Sequence, residues 1–185
     1  DMIMYNQRNW RDILSEKPKD MTRIEYEATR AKPSEDYMTA YRINRAKRNL
    51  RRFNDKYRDR RTEVYDERHI LDVATQMHHI FPASEYPEIA DYIENLIALT
   101  PTQHFTYAHP NNNTQYIDRA YQYLCLVAKT GTIRDNLLSN GKEPIIYDFY
   151  LLQTVLNTGL KTEEFYEVQD MDFDGLLNRI EQYYQ

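Results

Sequence analysis

Ile43, Ala46, Leu50, Phe53 and Tyr57 recur at alternating spacings of three and four. A strand would scatter these residues over both of its faces, whereas a helix gathers them into one buried stripe. The pattern predicts a long helix from Ser34 through the segment ending at Ile70. Ser34, placed after Pro33, is the expected N-cap, with Tyr37 and Met38 opening the apolar face. The chain has 185 residues, only four of them glycine, which favours helix elsewhere too. A hydrophobic content of 41% against 29% charged residues fits a globular chain rather than a disordered one.

No run approaches the roughly 18–20 apolar residues that span a membrane. The N-terminal "DMIMYNQRNW" has neither the basic start nor the apolar stretch of a signal peptide. A cytoplasmic location without membrane association is expected. The first residue is Asp, so an upstream domain of a longer chain is left open. The single cysteine, Cys125, lies among apolar neighbours and is expected to pack rather than react.

The net charge of −5 is unevenly spread. Residues 1–69 hold 18 Lys and Arg against 13 Asp and Glu; residues 70–185 hold 6 against 16. Within Arg42–Arg61 there are ten basic residues against Asp55 and Asp59. Charged helices usually present a solvated face. Here the excess predicts a grip on phosphates instead, carried by Arg42, Arg45, Lys47, Arg48, Arg51, Arg52 and Lys56. The acidic C-terminal segments are expected to face away from DNA or to meet another protein domain.

After His69 the period changes. "ILDVATQMHHIF" and "NLIALT" suit two short strands, and "PASEYPEIADYIE" between them reads as a loop with a helical turn. In "TPTQHFTYAHP", Thr100 caps a helix, Pro101 fits its first turn and Pro110 ends it. Helical patterns follow near 114–130, 132–139, 144–158 and 162–184, separated at Gly131, Gly141 and Gly159.

Four of the five histidines, His78, His79, His104 and His109, fall within 32 residues. On a strand, His78 and His79 point to opposite faces and so suit different tasks. Neutral imidazole is both a metal ligand and a base near pH 7, and phosphodiester hydrolysis uses both services. His69 lies outside the cluster and reads as an ordinary polar or packed residue.

His79, Asn95 sixteen residues on and His104 nine further resemble the HNH endonuclease signature of the ββα-metal nucleases. The context "HHIFP", "EN" before "LIAL" and "TPTQH" agrees, over roughly residues 70–112. The doubled histidine is similar to the bacteriocin DNase branch. The resemblance implies a small ββα-metal motif (70–112); with the helical patterns on either side the expected fold is α+β and mainly helical, the motif lying between a basic helical segment (1–69) and a helical C-terminal segment (113–185). It implies His79 as general base, Asn95 as the residue joining the strands and orienting that base, and His78 with His104 as metal ligands. His109 as third ligand departs from the pattern. Five residues turn a regular helix by about 140° past one full circuit, and Ala108 takes the favoured i+4 place. A loosened last turn before Pro110 would bring His109 in.

The implied activity is cleavage of double-stranded DNA by a metal-dependent endonuclease with a restriction or anti-phage role, either a whole enzyme or its nuclease domain. A non-specific bacteriocin-type DNase and a non-catalytic DNA-binding module with a structural metal are the alternatives. One divalent ion is implied: Mg²⁺ or Mn²⁺ for activity, with Zn²⁺ or Ni²⁺ also suited to imidazole. The extra helices are compatible with a homodimer. "DMDFDGLLNRIE" matches a calcium-loop pattern through Asp170, Asp172, Asp174, Gly175 and Glu181. Phe173, Leu176, Leu177, Ile180 and Tyr184 also form a helical stripe, so a helix capped by Asp172 or Asp174 is expected over 170–181 rather than a Ca²⁺ loop.

Overall fold

The computed structural model describes residues 35–110 and 117–185. Contacts divide the chain between Met38 and Thr39, and the account below concerns the unit Thr39–Gln185. Helix α1 (Glu35–Tyr57) buries Ala46, Leu50, Phe53 and Asn54 along the expected stripe. The Ser34 cap lies outside the described residues. The helix does not continue to Ile70. It stops at Tyr57, where Asp59 and Arg60 turn into the left-handed region with φ of 52° and 61°. The apolar spacing has lapsed by then, with nothing to bury until Val64. Asn54 closes the end, its side chain donating to the Arg61 carbonyl at 2.9 Å.

The fold is α+β and mainly helical, with one two-stranded antiparallel sheet. Strand β1 (Gln76–His79) pairs with β2 (Leu96–Leu99) so that His78 stands opposite Ile97 and His79 opposite Leu96. Both strands are shorter than the apolar runs that predicted them. Between them lie 3₁₀ turns at Pro87–Ile89 and Ile93–Asn95. Every residue of β2 is buried. On its other side Glu63 forms a short bridge: its N–H donates to the Ala98 carbonyl at 3.0 Å, and its carboxylate accepts from the Ala98 N–H at 2.6 Å.

Three helices complete the core: α2 (Arg119–Leu137), α3 (Phe149–Leu160) and α4 (Phe173–Tyr184). Each begins with an aspartate cap. Asp118, Asp148 and Asp172 accept from the N–H groups of Tyr121, Leu151 and Gly175 at 2.8, 3.0 and 2.9 Å. The predicted break at Gly131 is absent, and α2 runs through it. A mid-helix glycine costs about 1 kcal/mol, less than the burial of Cys125, Leu126 and Ile133 on that helix returns. The single helix expected over 162–184 is instead a 3₁₀ turn, Glu164–Glu167, followed by α4. Phe173, Leu176 and Ile180 are buried on α4, so the segment from residue 173 to 181 is helix, as the apolar stripe required. Burial pushes the Cys125 thiol up, in keeping with a packing role.

Helix α2 packs on α4 and on the turn that follows β2, while α3 packs on the Ile93–Asn95 turn. Gly159 on α3 has no room for a Cβ, which would fall onto the Phe81 ring. Gln122 on α2 donates to the Ile80 carbonyl at 2.8 Å and accepts from the Tyr184 hydroxyl at 2.8 Å. Lys129, fully buried, reaches Glu63 at 3.1 Å and the Tyr147 hydroxyl at 2.7 Å, so its charge is matched inside the core.

Arg58, just past α1, holds Glu143 through two hydrogen bonds of 2.5 and 2.6 Å. These bonds first, with Asn136 assisting, hold the Glu143 carboxyl below its ordinary 4.5. A carboxyl depressed on folding stabilises the native state above its unfolded pKa and loses that contribution as pH falls through the folded one. Urea midpoints compared at neutral pH and below pH 4.5 are therefore expected to drop less for Glu143→Gln than for wild type. The difference should be on the order of 1.5 kcal/mol, and equal drops would refute the assignment.

Candidate metal centre

The helix after β2 begins with a reciprocal cap. Thr100 Oγ1 accepts from the Gln103 N–H at 3.2 Å, and Gln103 Oε1 accepts from the Thr100 N–H at 3.1 Å. Gln103 is further tied to the Val64 carbonyl at 2.9 Å. From Gln103 to Ala108 the backbone is π-helical, and the His109 N–H donates to the His104 carbonyl at 3.2 Å. Closing the turn over five residues instead of four brings positions five apart onto one side. This resolves the spacing of His104 and His109: the loosened turn that regular geometry demanded is present. Pro110, without an N–H, follows at once.

His78 from β1 meets both. Ring centroids are 5.1 Å apart for His78–His104, 5.0 Å for His78–His109 and 5.0 Å for His104–His109. One nitrogen from each ring lies within 4.8 Å of the others. His78 and His109 are buried; His104 is half-buried. His104 Nδ1 is buried with no hydrogen-bond partner, an orphan that a bound ion would satisfy.

Burial, then the neighbouring His104 and His109, drives His78 well below the ordinary 6.5. Burial first, then His109 and Lys47, pushes His104 down to about 4. Both rings are therefore neutral at pH 7 with lone pairs to give. Three imidazoles without cysteine suit Zn²⁺, Ni²⁺, Co²⁺ or Mn²⁺ better than Mg²⁺, and three protein ligands leave a coordination position open.

His79 is held apart from this triangle. Its Nε2 lies 2.8 Å from the Ala90 carbonyl oxygen. A carbonyl only accepts, so neutral His79 carries its proton on Nε2 and keeps its lone pair on Nδ1. Asn95, fully buried, accepts from the Phe81 N–H at 2.9 Å and donates to the carbonyls of Phe81 at 3.0 Å and Ile89 at 3.3 Å. It thus ties the strand end after His79 to the turn that presents Ala90. Asn95 touches the backbone around His79, not its ring.

On α1, Arg42, Arg45, Arg51, Arg52 and Lys56 are exposed, while Lys47 and Arg48 are half-buried. At about 100° per residue, Arg42, Arg45, Arg52 and Lys56 follow one flank of the buried stripe and Lys47 with Arg51 the other. Arg42 pairs with Asp91 at 3.3 Å, beside Ala90. The positive charge of Lys47 adds the last and smallest contribution to the lowering of His78, His79 and His104, after burial. The residue pattern singled out Lys47 only as one basic residue of seven. It gave no signal for the Ala90 carbonyl, whereas the T-x-x-Q box of Thr100–Gln103 was there to be read.

No helix among the described residues is long and apolar enough to cross a membrane. No protein-family model, curated protein or solved structure matches the chain.

Proposed function

We propose that the chain is a metal-dependent endonuclease of the HNH, ββα-metal kind that hydrolyses phosphodiester bonds in double-stranded DNA. The observation that carries this reading is the triangle of His78, His104 and His109 beside a separate imidazole, His79, whose tautomer is fixed by Ala90. A bound divalent ion would offset charge on the phosphate and on the leaving 3′ oxygen, leaving a 5′-phosphate product. His79 takes a proton from the attacking water at Nδ1. Ala90 keeps the ring turned so that this nitrogen stays bare, and Asn95 is the positioning residue that holds the Ala90 turn against the strand. The exposed arginines of α1 and Lys56 engage backbone phosphates without reading bases. Restriction or anti-phage defence is the role proposed for such an enzyme, with cytoplasmic double-stranded DNA as its target.

Supercoiled plasmid with Mg²⁺, Mn²⁺, Ni²⁺ or Zn²⁺ tests the proposal. Nicking in the presence of at least one ion, abolished by EDTA, is expected. Intact plasmid at every ion, with a retained gel shift, would leave a DNA-binding module instead. Discrete fragments from a long substrate would favour restriction, and a smear the bacteriocin-type activity.

A further inference from the structure

A cleft of about 750 Å³ opens along one flank of α1, between that helix, the turn Asp91–Glu94 and the entry to α3. Its volume falls within the usual range of small-molecule sites. Arg52 and Lys56 stand on its α1 side, both exposed and one helical turn apart. Tyr57, Tyr92, Ile145 and Ile146 supply ring and aliphatic walls, and Ile145 is left 54% exposed there. The carboxylates of the lining are already engaged. Asp91 pairs with Arg42 at 3.3 Å, Glu94 accepts from the Asp148 N–H at 2.9 Å, and Asp148 caps α3 through the Leu151 N–H at 3.0 Å. The cleft therefore joins a cationic side to an apolar, aromatic one. A simple anion would use only the first, and an uncharged ring only the second. A phosphorylated heteroaromatic ring uses both, with charge-assisted hydrogen bonds at one end and stacking at the other. The cavity beside Arg68 and Tyr107 lacks this pairing, because Arg68 is bound to Asp66 at 2.8 Å and Glu67 and Asp118 share the lining.

We propose that the cleft is a nucleotide subsite: Arg52 and Lys56 hold a phosphate, and the attached base lies against Tyr92 and Ile145. Its occupant is a nucleoside phosphate, delivered either as one nucleotide turned out of bound DNA or as a free mononucleotide. Asp91 and Tyr92 directly follow Ala90 in the chain, so the subsite adjoins the turn that orients His79. The DNA source rests on the nuclease reading; the free source does not. The backbone grip of the other α1 arginines ignores the base, whereas this subsite requires it.

The test uses the full chain and 2-aminopurine as a fluorescent base. In the first arm, anisotropy follows binding of its free deoxynucleoside 5′-monophosphate. In the second, a duplex with one internal 2-aminopurine brightens if that base is drawn out of the stack. A signal in at least one arm is expected. Arg52→Gln combined with Lys56→Gln should weaken it by about tenfold or more, the worth of hydrogen bonds to a charged group. Tyr92→Ala should weaken it by about fivefold or more through lost stacking, and Tyr92→Phe should keep it. Ile145→Ala, at an exposed position, should lower the same signal and serves if Tyr92→Ala fails to fold. A signal in the first arm assigns a free mononucleotide, and one confined to the second assigns DNA. Silence in both arms would overturn the proposal. A signal that survives the paired charge substitutions, or that survives both wall substitutions, would overturn it too, since it would come from the base or the phosphate alone. Nucleotide binding without plasmid nicking would uphold the subsite and reject the nuclease; nicking with both arms silent would do the reverse.

Discussion

Replacing His79 with alanine should lower the plasmid-nicking rate by about 10²–10⁴-fold, the usual contribution of a positioned general base, while metal uptake survives. The two halves of that expectation come from different contacts. The triangle is built by His78, His104 and His109, and the His79 side chain is engaged by Ala90 at 2.8 Å instead. Removing the ring therefore removes a proton acceptor without removing a ligand. The half-buried side chain leaves little void, so the variant should fold, which a urea melt would verify. Nicking rates and calorimetric Ni²⁺ binding, measured on the same preparation, decide the matter. Undiminished nicking would end the assignment of His79 as base. Loss of nicking and of Ni²⁺ together would move His79 into the metal centre or into the scaffold.

If the triangle holds the ion as proposed, His109→Ala should weaken ion binding by more than the roughly 10–100-fold that loss of an outer partner costs, because one of the three proposed ligands disappears. Nicking should fall with it unless the ion is supplied in large excess. The π-helical turn sharpens the test. In a regular helix the position four after His104 is Ala108, and moving the histidine there would rescue a lost ligand. Here Ala108 is 0% exposed and packed in the core, and the i→i+5 bond to His104 belongs to His109. The double variant Ala108→His, His109→Ala should therefore bind metal no better than His109→Ala, and should be less stable through overpacking. Rescue by the double variant would mean that the turn is α-helical in solution.

The elements that periodicity and caps could reveal were those whose causes are local. The stripe from Ala46 to Phe53 predicted α1, the two apolar runs predicted β1 and β2, and the pattern of Phe173, Leu176 and Ile180 predicted α4. The departures arise where tertiary contacts outvote local preference. Gly131 stays helical because its helix buries apolar neighbours on both sides of it. The end of α1 depends on Asp59 and Arg60 accepting positive φ, which no pattern of polarity forecasts. The histidines themselves stood out by spacing and type. That His109 faces His104 was legible only as a condition, a loosened last turn, since it follows from a change of helical pitch between Gln103 and Ala108.

The two residues after the histidine pair are secured from far along the chain: Ile80 through Gln122 and Tyr184, Phe81 through Asn95 and the bare face of Gly159. The strand–loop–strand–helix segment is consequently not a portable cassette. A graft of that segment into another scaffold would carry the ligands but leave the backbone behind His79 unbraced, free to let the ring swing off Ala90. Any minimal version of this protein has to take α2, α3 and α4 along, because the backbone beside the histidines is braced by residues from all three.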